Sequence, residues 1–160
     1  MNKNAISLAL GCAVMLLQGC NQQPDPAKVQ ADVTKAEADG QKKIVDAQAK
    51  LDKVVADKNK DVVGAQADAQ KDAANNPNAP APAANADVNK AQVDAENKIA
   101  DAQYDVDKAK AEAQKEVADA RCEAQVGDAN KTCKDAAKAS YDSAVAAAKA
   151  KNDAAHAAHK

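Results

Sequence analysis

Alanine falls on an eleven-residue beat through most of this chain, and that beat admits little besides long helices. The dipeptide Ala-Gln recurs at 91–92, 102–103, 113–114 and 124–125. Apolar positions run with spacing 4-3-4-4-3-4 through Val29, Val33, Ala36, Gly40, Ile44, Ala47, Leu51 and Val55. The same beat runs through Val88, Ala91, Ala95, Ile99, Ala102, Val106, Ala113 and Val117. A strand needs period two, so this is helix. Eleven residues in three turns give about 3.67 per turn, a nearly straight or slightly right-handed helix rather than a leucine zipper.

The supply of bulky side chains sets a second limit. The chain has 160 residues, no Trp, no Phe and two Tyr, Tyr104 and Tyr141. After Cys20 only sixteen Val, Ile and Leu residues remain, and most of the 46% hydrophobic fraction is alanine. Burying one such side chain returns roughly 1.5–3 kcal/mol, whereas ordering each residue costs roughly 1–2 kcal/mol of backbone entropy. A compact core is out of reach. The expected fold class is all-α: long Ala-rich amphipathic helices, in part disordered. Ala, Lys, Gln and Glu favour helix and oppose that disorder.

A longer repeat overlies the short one. Residues 31–75 laid on 86–130, a shift of 55, agree at 21 of 45 positions. Ala31-Asp32-Val33 meets Ala86-Asp87-Val88, and Asp46-Ala47-Gln48 meets Asp101-Ala102-Gln103. Composition alone gives roughly seven matches, so a tandem duplication is expected. Asp25-Pro26 reads as an N-cap followed by proline at the first helical position. The segments are then a helical repeat over 27–74, a Pro/Ala/Asn linker over 75–86, a second repeat over 87–126 and a last helix within 127–160. Gly40 and Gly64 are the expected weak points of the first helix. Charge pairs Asp39/Lys43, Asp46/Lys50 and Asp94/Lys98 at i,i+4 each add a few tenths of a kcal/mol.

Residues 1–19 read as an export signal. Met-Asn-Lys precedes an apolar run from Ala5 to Leu17, too short to span a bilayer permanently. The run ends in Leu17-Gln18-Gly19-Cys20, which resembles the lipobox of bacterial lipoproteins. The resemblance implies cleavage before Cys20, acylation of Cys20, and a short tether over 20–26. Several acyl chains anchor stably where one binds marginally. In enteric lipoproteins Asp after the cysteine retains the protein in the inner membrane. Asn21 therefore implies the outer membrane, with the chain facing the periplasm.

Cys122 and Cys133 would stand about 16 Å apart on one continuous helix, too far to bond. Gly127 and Asp128 lie between them and suit a helix end and the next helix start. A hairpin there brings the sulfurs together, and an exported chain meets an oxidising compartment. A Cys122–Cys133 disulfide is expected. Cys122 nevertheless falls well away from the Val/Ile stripe. Either alanine faces such as Ala111 and Ala118 hold the hairpin while the stripe meets another partner, or the hairpin is local.

The residues exclude more functions than they suggest. Net charge is -2 with acids and bases interleaved, unlike the basic, aromatic-studded surface that nucleic acid needs. No phosphate loop, nucleophile elbow or zinc-protease motif is present. His156 and His159 at i,i+3 read as solvated residues near the chain end rather than metal ligands. No metal, cofactor, catalytic residue or small-molecule substrate is expected. Lys160 is similar in position to the terminal lysine through which the murein lipoprotein is linked to peptidoglycan.

Asp101-Ala102-Gln103 and Glu112-Ala113-Gln114-Lys115 resemble the eleven-residue motifs of group 3 late-embryogenesis-abundant proteins, over roughly 31–125. That resemblance implies a desiccation or stress protectant, loosely ordered until water is lost. The Ala/Lys/Asp-rich stalk of envelope-spanning Tol proteins is a similar likeness. Two functions are thus expected in competition: a helical spacer or interaction rod of the envelope, or a lipid-anchored protectant. The expected partners are a membrane through lipid on Cys20 and either a second copy, an envelope protein or peptidoglycan. Whether the two repeats pack on each other or the chain self-associates is open at this level.

Overall fold

A computed structural model describes residues 24–75 and 82–159. They form three helices: α1 over Pro26–Asn75, α2 over Pro82–Cys122 and α3 over Gly127–Ala157. The all-α expectation holds. The signal segment, Cys20, most of the tether and Lys160 lie outside the described residues.

α1 is a single helix of 50 residues, about 75 Å long at 1.5 Å per residue. Its start follows the sequence: Asp25 Oδ1 accepts a hydrogen bond from the Ala27 backbone N–H at 2.9 Å, an N-cap with Pro26 just inside. α2 begins at Pro82, inside the expected linker, because proline is well suited to a first helical position where its missing N–H costs nothing.

The two repeats pack on each other as antiparallel neighbours. All sixteen stripe positions are buried or half-buried. Equivalent residues share the seam: Val33 with Val88, Gly40 with Ala95, Ile44 with Ile99, and Leu51 with Val106. Val106 is fully buried. The seam is therefore nearly two-fold symmetric, as a duplicated helix pairing with its own copy must be.

α3 lies on the other side of α2. Ala113 faces α1 and Cys122 faces α3. Nine residues separate them, about two and a half turns, so they point in opposite directions. Ala111, Cys122, Ala137 and Ala148 are buried along the α2–α3 seam. Among the described residues, the helix pairs that pack are α1 with α2 and α2 with α3. The molecule is a layer one helix thick, with α2 in the middle. This settles the misplacement of Cys122 in favour of the first alternative: alanines hold α3 while the valine stripe meets α1.

The hairpin differs in detail from its expected form. α2 ends at Cys122 rather than near residue 125, and the turn occupies 123–126. Gly127, expected at a helix end, instead opens α3 with φ +60, a conformation open to glycine. Asp128, expected to cap α3, lies in its first turn, with Val126 at the N-cap. Asn130 stitches the turn: its Nδ2 donates to the Cys122 carbonyl at 2.7 Å and the Gln125 carbonyl at 3.3 Å. The Cys122 carbonyl belongs to the last residue of α2, where helical partners run out, and also accepts the Gln125 backbone N–H at 2.9 Å; the Gln125 carbonyl lies in the turn. Asn130→Ala should cost about 1 kcal/mol. Thermal unfolding followed by circular dichroism should show a fall of about 2–4 °C in Tm.

Candidate functional site

The features most able to act lie at two places, the end of the layer that follows the tether and the far end of the α2–α3 seam. At the first, Pro24, Asp25, Lys28 and Val29 at the α1 start line a groove with Glu123 and Val126 of the turn and Gly127 and Asn130 of α3. The described chain therefore enters the layer, at Pro24, beside the α2–α3 turn. Arg121 near that end reaches Glu37 of α1 at 3.4 Å.

Cys122 and Cys133 are joined as a disulfide with their Cα atoms 5.6 Å apart. Cys122 is buried under the first turns of α3. The bond closes the hairpin that the sequence indicates. Lys134 and Glu123 add an ion pair across the turn at 2.6 Å.

The far end of the α2–α3 seam is polar, and it corrects the reading of the histidines. His156 Nε2 lies 2.8 Å from Asp101 Oδ1, and His159 Nε2 lies 2.7 Å from Glu96 Oε2. Asn152 Nδ2 donates to the same Asp101 oxygen at 3.3 Å, and Lys151 reaches Asp107 at 3.6 Å. These side chains fasten α3 where alanine offers little area. The Oδ1 atoms of Asn97 and Asn152 are buried here without a protein partner. Sequence spacing on α3 alone does not reveal these carboxylates, which come from another helix. The antiparallel register of α2 and α3, once set by the Cys122–Cys133 bond, brings them opposite.

The His156 hydrogen bond holds the Asp101 carboxyl below the ordinary carboxylate range, with Asn152 assisting against partial burial. A depressed carboxylate stabilises the fold above its unfolded pKa, and that contribution is lost as pH falls through the lower folded value. The contribution is small because Asp101 is close to half exposed. His156→Ala should return the Asp101 titration toward the ordinary range, as read by carboxyl NMR. An unmoved Asp101 curve would contradict this placement.

None of the three i,i+4 pairs expected from sequence forms. Asp39 instead takes Lys35 at 2.7 Å, Lys98 takes Asp101 at 3.8 Å, and Lys43 crosses to Glu116 of α2. That hydrogen bond raises the Lys43 ammonium above its ordinary pKa. Tertiary pairing displaced local pairing at Lys43 because the antiparallel seam places a carboxylate within its reach.

On one broad face, Ile44 of α1 and Ala113, Val117 and Ala118 of α2 floor a shallow apolar groove rimmed by Glu37, Lys110 and Arg121. It is open to solvent along its length. Among the described residues, no group of three or more His, Cys, Asp or Glu is placed to hold a metal ion. No described helix is long and apolar enough to cross a membrane. No family model, curated protein or solved structure matches the chain.

Proposed function

We propose that this chain is a non-enzymatic envelope lipoprotein, anchored by lipid on Cys20 in the outer membrane and acting in the periplasm as a helical spacer or interaction rod. One observation carries the reading. Leu17-Gln18-Gly19-Cys20 is followed within a few residues by Asp25, which caps a helix about 75 Å long. The start of α1, which a lipid on Cys20 would tether, lies at one end of a slender body, beside the disulfide-closed turn. Lys160 as a peptidoglycan attachment point belongs to the same reading.

The seam between α1 and α2 supports a rod that is folded in water over a protectant that orders on drying. Gly40 and Ala113 meet at close range, and Lys43 and Arg121 find partners across the seam. Circular dichroism in dilute buffer should show strong helix and a cooperative melt. Weak helicity that rises only on drying would favour the protectant.

The anchoring itself is tested by the intact mass of the chain recovered from membranes. The expected mass is that of residues 20–160 plus lipid, less two hydrogens for the disulfide. A species that retains residues 1–19 or lacks lipid would contradict the proposal, and a peptidoglycan remnant on Lys160 would appear in the same spectrum.

A further inference from the structure

The outer edge of α1 occupies the same positions of the repeat as the surface on which α2 holds α3, with Asp52, Ala56 and Lys60 identical to Asp107, Ala111 and Lys115. Under the 55-residue shift, Ala49, Asp52, Ala56, Lys60, Val63 and Ala67 correspond to Tyr104, Asp107, Ala111, Lys115, Ala118 and Cys122. In α2 that stripe is covered. Ala111 and Cys122 are buried against α3, and Asp107 receives Lys151 of α3 at 3.6 Å. In α1 every one of these residues is exposed.

The exposed stripe begins one step earlier, at Val45, and keeps the 4-3-4-4-3-4 beat through Ala67. Val45 and Val63 are 54% and 62% exposed. They are the large apolar side chains that α1 leaves most open to water. Seven residues on one helical edge with two bare valines make a surface whose duplicate already binds a helix.

We infer that this edge pairs with the same edge of a second copy, antiparallel, about a two-fold axis at Ala56. The stripe is self-complementary in that arrangement alone. Val45 falls opposite Ala67 of the other copy, Ala49 opposite Val63, and Asp52 opposite Lys60, with Ala56 against itself. Large side chains meet small ones, and each carboxylate meets an ammonium. Parallel pairing in register sets Asp52 against Asp52 and Lys60 against Lys60, which like charge disfavours. Among the described residues, neither Asp52 nor Lys60 has an ion-pair partner within its own chain, and Asp52 takes only a hydrogen bond from Gln48 Nε2 at 3.0 Å. Both charges are available across the axis. Alanine at the contact lets the helix axes approach closely.

The contact is isologous and closes as a dimer. α1 is then flanked on both sides, as α2 is, and the pair is a layer of six helices. The two α1 helices start at opposite ends, about 90 Å apart. On the anchoring proposed above, two chains held in one leaflet pair lying along it, as an interaction rod and not as a spacer standing away from it.

The test uses residues 21–160, which contain all three described helices. Sedimentation at about 100 µM, where mass action favours association, should give the mass of a dimer. Asp52→Lys should return the monomer, by placing lysines against Lys60 of each partner. The double variant Asp52→Lys/Lys60→Asp should restore the dimer, with circular dichroism unchanged throughout. Ala56→Cys should form a covalent dimer at least about tenfold faster than the broad-face control Lys50→Cys, because the axis raises its local concentration. A monomer at that concentration overturns the inference. So does a dimer indifferent to Asp52→Lys, a mass that climbs past two chains, or equal cross-linking at positions 50 and 56.

Discussion

Reducing the Cys122–Cys133 disulfide is expected to remove about 2–3 kcal/mol, the chain-entropy cost of closing so short a loop. The loss falls on α3 first. Among the described helices α3 packs against α2 and not α1, and its buried residues there are Ala137 and Ala148. Alanine contributes little area, so the covalent bond and the polar clasp around Asp101 carry much of the attachment. Circular dichroism with and without reductant should show a Tm lower by several degrees. Limited proteolysis should then cut within 127–157 while α1 and α2 survive. Cys133→Ser should behave as the reduced protein does. Equal melting in both redox states would mean that alanine packing alone holds α3.

Gly40 and Gly64 should respond to substitution with opposite signs. Both stand inside α1, where glycine is less favourable than alanine by about 1 kcal/mol. A Cβ at Gly40 would lie 2.7 Å from the Ala113 Cβ and 3.2 Å from its Cα. The obstacle is backbone, so the helices themselves must separate. Gly40→Val should cost about 2–3 kcal/mol through overpacking, and it should also disturb the Lys43–Glu116 pair one turn away. A Cβ at Gly64 meets nothing within 4 Å. Gly64→Ala should therefore stabilise by about 0.5–1 kcal/mol. Denaturant melts of both variants check the contrast. A neutral Gly40→Val would place the closest approach of α1 and α2 elsewhere.

This pair also marks where the sequence is informative and where it is not. Both glycines read alike as weak points of a helix, because local propensity is all that a single helix offers. Only the partner separates them. The stripe itself is legible in full, since burial on one side imposes a period that alanine and valine keep from Val29 to Val117. The disulfide is legible for a similar reason: Gly127 permits the reversal that brings two cysteines together. Pairs between helices are a different matter. Asp39/Lys43 looks local until Glu116 arrives from α2, and His156 looks solvated until Asp101 arrives. Those partners depend on register, which the 55-residue duplication and the Cys122–Cys133 bond fix only once the helices are known to be antiparallel. The anchor rests on the Leu17–Cys20 motif, a chemical address that leaves no trace in how helices pack.

The rod, the open edge of α1 and the single attachment of α3 all depend on a body one helix thick, with α1 and α3 on opposite sides of α2. Small-angle X-ray scattering of residues 21–160, extrapolated to zero concentration, measures that directly. A rod about 75 Å long has a radius of gyration near 22 Å, whereas a globular domain of this size has about 14 Å. A value near 22 Å, with the distance distribution skewed toward a long tail, is the predicted result. A value near 14 Å would mean a folded-over globule and would contradict the layer, the open edge of α1 and the rod together.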